Sequence, residues 1–363
     1  MACEYKGRYS LAEFEVVEQD VPNILGLPTC TQMKMIKRID AIKHNPEDSF
    51  EEFKDVFEGL GCIQGTQHRI RINQSQTPVV HPPRRVPVIL RQRVKNELER
   101  MERLGVVERV QEPTDWVNSM VIITKPNGKL RICIDPRDLN KAIKQEHYPM
   151  KTIEEVIMRM PNAKIFSVLD ASSGYWQVKL DRDSAKLCTF NTPFGRYMFN
   201  RLPFGLCSAQ DVFQSIMSEM FDDIDGVEVI VDDLLIWGEN ESQHNARLRK
   251  VLERAKERNL KLNKEKSQIR HTEISYIGHI LSKDGVKPDP KKVDATETPK
   301  DKEELQQFLG MATYLSKFIP NMSQTAAPLK SLLQKDVDWH WEGQQQRSFQ
   351  NLTHAIAEAA TLK

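Results

Sequence analysis

Residues 227–238 read VEVIVDDLLIWG, an apolar run interrupted at its centre by two adjacent carboxylates, Asp232 and Asp233. Both flanks have the composition of short buried strands. On a regular strand neighbouring side chains point to opposite faces. A task shared by both acids therefore requires a tight turn, which Asp tolerates through its local side-chain hydrogen bonds. The expectation is a β-hairpin with two acids at its tip. Residues 165–170, IFSVLD, form a second strand-like run that ends in Asp170. Three acids at strand ends suggest one metal site, because Mg2+ takes oxygen ligands and is commonly held by a few carboxylates plus substrate phosphates. Two such ions roughly 4 Å apart clamp the attacking and leaving oxygens of an in-line phosphoryl displacement. Taken alone, an Asp-Asp pair is more often an ordinary solvated turn.

At 363 residues the chain has room for two or three domains. Lys plus Arg (52) nearly balances Asp plus Glu (51), so the net charge of +1 does not announce a polyanion partner. A nucleic-acid cleft has to come from segregated charge instead. Cys3, Cys30, Cys62, Cys133, Cys188 and Cys207 are scattered with no C-x-x-C pair, which argues against structural zinc and a disulfide scaffold. No apolar run approaches membrane-spanning length, and the acidic N-terminus has no signal-peptide character. The composition thus points to a reduced, soluble protein without a membrane partner.

Local patterns place the remaining elements. Phe50, Phe53, Val56 and Phe57 fall at helix spacing, whereas 74–87 is proline-rich, basic and extended. Leu90, Val94, Leu98, Met101 and Leu104 step along one helix face that Gly105 ends. Two strands, 117–123 and 130–134, flank Asn127-Gly128, a hairpin-turn signal, with Lys125, Lys129 and Arg131 clustered around it. Thr152 and Glu155 match a capping box. Ser208 is expected to cap a helix to Phe221 with Val212, Phe213, Ile216, Met217 and Met220 inward. A charged helix follows over 241–259, and two amphipathic helices over 302–320 and 343–360.

Five ordered blocks carry a resemblance: KPNGKLRICIDPRDLNK (125–141), FSVLDASSGYWQVKL (166–180), TFNTPFGRYMFNRLPFGLCSAQDVFQ (189–214), VIVDDLLIWG (229–238) and YIGHILSKDGVKPDP (276–290). Through them the chain resembles the reverse transcriptase of gypsy-type long-terminal-repeat retrotransposons. The resemblance implies an α+β right-hand polymerase fold, with an antiparallel palm sheet backed by helices. It implies a retropepsin-like protease remnant over 1–40, an extension and linker over 41–88, fingers and palm over 89–283, and a helical thumb over 284–363 that stops where a ribonuclease H would begin. By the same resemblance, Asp170, Asp232 and Asp233 are the catalytic acids and hold two Mg2+ ions, with Mn2+ as a substitute. Arg131 and Lys125 meet the triphosphate of the incoming nucleotide. Tyr175 lies under its sugar, Phe204 against the nascent base pair, and Ile277, Gly278 and His279 form the primer grip.

The expected activity is template-directed addition of deoxynucleotides, from their triphosphates, to a primer 3'-hydroxyl on an RNA or DNA template. The expected location is a cytoplasmic retroelement particle or the nucleus. Two departures from the family pattern keep alternatives open. Ile230 stands where Tyr is common, and VDATETPKDKEEL is shorter than the usual palm–thumb connection. A domesticated fragment that binds nucleic acid without polymerising, and a DNA-directed repair polymerase, are the competing readings.

Overall fold

The computed structural model describes residues 2–5, 8–11, 46–290, 297–359 and 361–362. Two units separate, Met1–Glu52 and Phe53–Lys363. In the first, β1 (Ala2–Tyr5) and β2 (Arg8–Leu11) pair antiparallel, and Pro46–Glu52 forms helix α1. Most of the stretch read as a protease remnant, and residues 291–296 of the shortened connection, lie outside the described residues.

The second unit opens with a 3-10 turn at Lys54–Val56, so the expected continuous helix is broken at Phe53. The two-residue strand β3 (Gln67–His68) then runs parallel to β8 (Lys179–Leu180). The proline-rich segment is not a loose crossing. Val80 bridges Val117, Asn191 donates to the His81 carbonyl at 2.6 Å, and Arg84 pairs with Asp135 at 2.5 Å. Helix α2 (Val88–Arg103) buries Val94, Leu98 and Met101, and Gly105 adopts the left-handed conformation just beyond its end. It lies beside a five-stranded sheet in the order β4 (Val107–Arg109), β10 (Gly195–Phe199), β9 (Thr189–Thr192), β5 (Asn118–Thr124) and β6 (Leu130–Asp135). The short helices α3 (Arg137–Ala142), α4 (Ile153–Met158) and α5 (Arg182–Leu187) connect these parts. The Thr152–Glu155 capping box forms in full at the start of α4.

The expected palm is a four-stranded antiparallel sheet in the order β11 (Val227–Ile230), β12 (Asp233–Gly238), β7 (Ile165–Ala171) and β13 (Leu262–His271). Side-chain alternation divides its two faces. Phe166, Val168, Leu235 and Trp237 join a large apolar core. This core also takes in Ile153 and Val156 of α4 and residues of the three-stranded sheet β14 (Glu273–Tyr276), β15 (His279–Ser282) and β16 (Gly285–Pro288). On the other side lie α6 (Ala209–Phe221) and α7 (Glu241–Glu257), where buried His244 meets the Ser167 hydroxyl at 2.9 Å. Ser208 stands at the start of α6, but its buried hydroxyl makes no capping bond there, contrary to expectation.

Helices α8 (Lys302–Tyr314), α9 (Met322–Thr325), α10 (Ala327–Ser331) and α11 (Gly343–Ala357) extend the same core through Leu305, Phe308, Leu329 and Leu352. The thumb expected from the resemblance falls on these helices. No described helix is long and apolar enough to cross a membrane.

Candidate active site

Register brings two of the acids together. Asp170 is the cross-strand partner of Asp233 in the β7–β12 pair, so both project from one face at one end of the palm sheet. Asp232 sits in the two-residue turn between β11 and β12, with its carbonyl accepting from the Ala171 amide at 2.7 Å. The turn is strained at Val231, whose φ of 53° is rare for a β-branched residue. A short hairpin turn normally places Gly at that position. The left-handed backbone of this turn thus falls on Val231 and not on the Asp expected to accommodate it.

Gln214 of α6 holds this turn. Its side chain accepts from the Val231 amide at 2.6 Å and donates to the Val229 carbonyl at 2.9 Å and the Ser218 hydroxyl at 3.0 Å. A second constraint comes from the chain after Asp170, where Ser173 is left-handed and Gly174–Gln177 forms a 3-10 turn. A Cβ on Gly174 would lie 2.6 Å from Asp232 Oδ1 and 2.7 Å from Phe213 Cζ, so only Gly admits the carboxylate here.

Asp232 is half-buried, and its buried Oδ1 has no hydrogen-bond partner. Burial first, then the neighbouring Asp170 and Asp233 charges, pushes its carboxyl up to about 6. Lys266 Nζ donates to Asp170 Oδ2 at 3.0 Å. It is brought there by an irregular stretch of β13 between Asn263 and Gln268, in which Asn263 Oδ1 accepts from the Glu265 amide at 3.1 Å. Among the described residues no three acidic, imidazole or thiol groups are gathered closely enough to hold an ion unaided. The donor set nevertheless fits a hard cation that shares its ligands with phosphates: three carboxylates at one sheet end, one with an orphaned buried oxygen.

The expected nucleotide contacts form a connected wall. The Arg131 guanidinium carbon lies 4.6 Å from the Phe204 ring centre, Phe204 lies 4.9 Å from Tyr175, and Tyr175 lies 5.6 Å from Phe213. Tyr175 is half-buried, and burial followed by Asp232 raises its phenol above the ordinary value. Lys125 begins the β5–β6 hairpin turn, with its amide donating to the Lys129 carbonyl and its carbonyl accepting from Gly128. Burial first, then Arg131 and Lys266, lowers its ammonium pKa. Gly205 presses against the Ile134 carbonyl, where a Cβ would come within 2.2 Å.

Ile277 and Gly278, both at positive φ, make the tight turn between β14 and β15. His279 is wholly buried, its ring 5.2 Å from Tyr314 and 5.6 Å from Phe318 of the thumb. Of the three residues expected to form the primer grip, it therefore packs behind the turn. Tyr314 Oη donates to the Ile277 carbonyl at 3.0 Å. The sequence reading missed Gln214, Gly174, Lys266 and Tyr314 as contributors. Only Gly174 left a signal, as a glycine four residues past Asp170 and directly before Tyr175.

Residues 123–281 match the family described as Reverse transcriptase (RNA-dependent DNA polymerase). The Tf2-3 and Tf2-7 transposon polyproteins of Schizosaccharomyces pombe are each 27% identical over 348 residues, covering 91% of this chain and 26% of the polyprotein. The chain thus spans about a quarter of the length of these relatives. Among solved structures, a foamy viral protease-reverse transcriptase in complex with double-stranded DNA superposes with a TM-score of 0.78 at 20% identity, covering 96% of this chain and 63% of that one. The foamy viral protein with an RNA/DNA hybrid gives 0.77 at 20% identity, covering 95% and 48%. At such identity the likeness establishes the shared fold.

Proposed function

We propose, from the premise that residues 123–281 are a reverse transcriptase domain, that this chain is an RNA-directed DNA polymerase. It would extend a primer 3'-hydroxyl with deoxynucleotides on an RNA or DNA template. The observation that carries this reading is the register pairing of Asp170 with Asp233 beside the constrained Asp232 turn, all within the matched region. The three aspartates would hold Mg2+, with Mn2+ as a substitute; bound ions of this kind activate the hydroxyl and steady the triphosphate.

The chain's own residues do the positioning. Gln214 holds the Val231–Asp232 turn through its backbone, and Gly174 leaves room for the Asp232 carboxylate. Lys266 balances the charge of Asp170. Arg131, stacked on Phe204, presents a planar fork suited to phosphate oxygens, and Lys125 adds charge beside it. Tyr175 would lie beneath the nucleotide sugar. The Ile277-Gly278 turn would carry the primer strand, with His279 as its buried support. The resemblance of residues 1–40 to the end of a retropepsin-like protease supports an origin in a retroelement polyprotein, acting in a cytoplasmic particle or the nucleus.

The test is primer extension with deoxynucleotides on matched RNA and DNA templates. Extension on both is expected, lost in Asp232→Asn while primer-template binding persists. Binding without extension in the unaltered chain would favour the non-polymerising reading, and extension on DNA alone would favour a repair polymerase.

A further inference from the structure

Between helix α2 and the β5–β6 hairpin lies a cavity of about 770 Å³, of whose lining the catalytic reading uses only Lys125. Helix α2 contributes Arg93, Glu97, Arg100 and Arg103 to its lining, and the hairpin contributes Lys125 and Lys129. The α2 residues recur at intervals of three and four, so they line one helix face. Glu97 is taken up by Arg100, which donates to it through Nε at 2.8 Å and Nη2 at 2.7 Å. Among the described residues no carboxylate stands at ion-pair distance from Arg93, Arg103, Lys125 or Lys129. Arg93 closes the wall by donating to the Gly128 carbonyl at 2.5 Å.

A chain of net charge +1 has thus gathered five cations and one neutralised carboxylate around a single concavity. Like charges facing one another across a gap repel, and an anion between them relieves that cost. Lys125 joins this cavity to the cations Arg131 and Lys266 of the site already described, and its ammonium pKa is lowered in part by both. The arginine forks suit phosphate oxygens.

We propose that this cavity is a second polyphosphate seat, which takes a di- or triphosphate chain apart from the one held at Arg131. The compact chain is favoured over a nucleic-acid backbone because the helix and the turn wall the space on two sides, and because Lys125 links it to the triphosphate end of the site. The seat does not depend on polymerisation. A chain that fails to extend primers but binds polyphosphate through Arg103 leaves it standing.

Calorimetric titration of the full chain with inorganic tripolyphosphate, in chelator and without nucleic acid, tests it. Saturable binding is expected, weakened at least about tenfold by Arg93→Glu and by Arg103→Glu and largely retained in Arg131→Ala. Arg103 is exposed and its replacement does not threaten folding, which thermal melting checks; it decides if Arg93→Glu disturbs the hairpin. Binding that survives both glutamate substitutions and disappears in Arg131→Ala would overturn the seat. In a parallel arm with a short single-stranded oligonucleotide, weakening by the same substitutions while tripolyphosphate binding stays unchanged would also overturn it, in favour of a strand track.

Discussion

Asp232 gains affinity for a proton when the chain folds, because its carboxyl is pushed up to about 6 by burial and by two neighbouring carboxylates. A raised acid stabilises the fold most when protonated, and that contribution is lost as pH rises from the unfolded value near 4 through about 6. In chelator, Asp232→Asn should therefore be more stable than the unaltered chain at pH 8 by roughly 1–2 kcal/mol, after discounting for residual screening, with the gap closing toward pH 4. Urea melts at the two pH values check this, and parallel pH profiles would contradict it. Tyr175, half-buried and flanked by Phe204 and Phe213, offers a second residue-level test. Tyr175→Ala should raise ribonucleotide relative to deoxynucleotide incorporation by on the order of tenfold or more, since small misplacements at a reacting centre carry large rate effects. A plain core residue would depress both substrates equally. The three acids stand out in sequence because apolar strand-like runs end or break at them, whereas Arg131, Tyr175 and Phe204 are expected only through the family resemblance. Lys266 does not stand out, since within the charged run NKEKSQ nothing distinguishes it from a solvated neighbour.

Helices were the readily legible elements, and caps only in part, since Ser208 makes no capping bond. Apolar periodicity gives α2, α6 and α7 to within a few residues, and Thr152-x-x-Glu155 gives the start of α4. Strand irregularities were not legible, because tertiary contacts impose them. The offset in β13 that presents Lys266 and the positive φ at Val231 both run against local preference. Gln214 marks how such a turn is held from outside the sheet. Gln214→Leu would leave the Val231 amide and the Val229 carbonyl without their partner, costing about 2–4 kcal/mol, and should lower extension beyond the loss of folded protein. Denaturant melts together with extension rates per folded molecule decide; an activity loss that merely tracks the folded fraction would confine Gln214 to a stabilising role.

For the whole molecule, near-neutral total charge conceals local segregation, and primer-template affinity should fall steeply with salt. A log–log slope of at least about −3 is expected from counterion release, and a flat response would mean that phosphates are not the main contacts. Tyr314 of α8 ties to the expected primer-grip turn, donating to the Ile277 carbonyl at 3.0 Å and lying 3.4 Å from His279 Nδ1. Tyr314→Phe should leave single-nucleotide insertion nearly unchanged while shortening products several-fold under single-encounter conditions. Equal effects on both would place Tyr314 in general packing. The palm sheet also fixes when chemistry becomes available during folding. The β11–β12 hairpin can form locally, but Asp170 meets Asp233 only when β7 docks across a loop of about sixty residues, a slow kind of closure. Lys266 arrives with β13, later in the chain. On the proposed function a nascent or half-folded chain would be chemically silent, and the first ion-dependent signal in a refolding experiment would time the closing of the sheet.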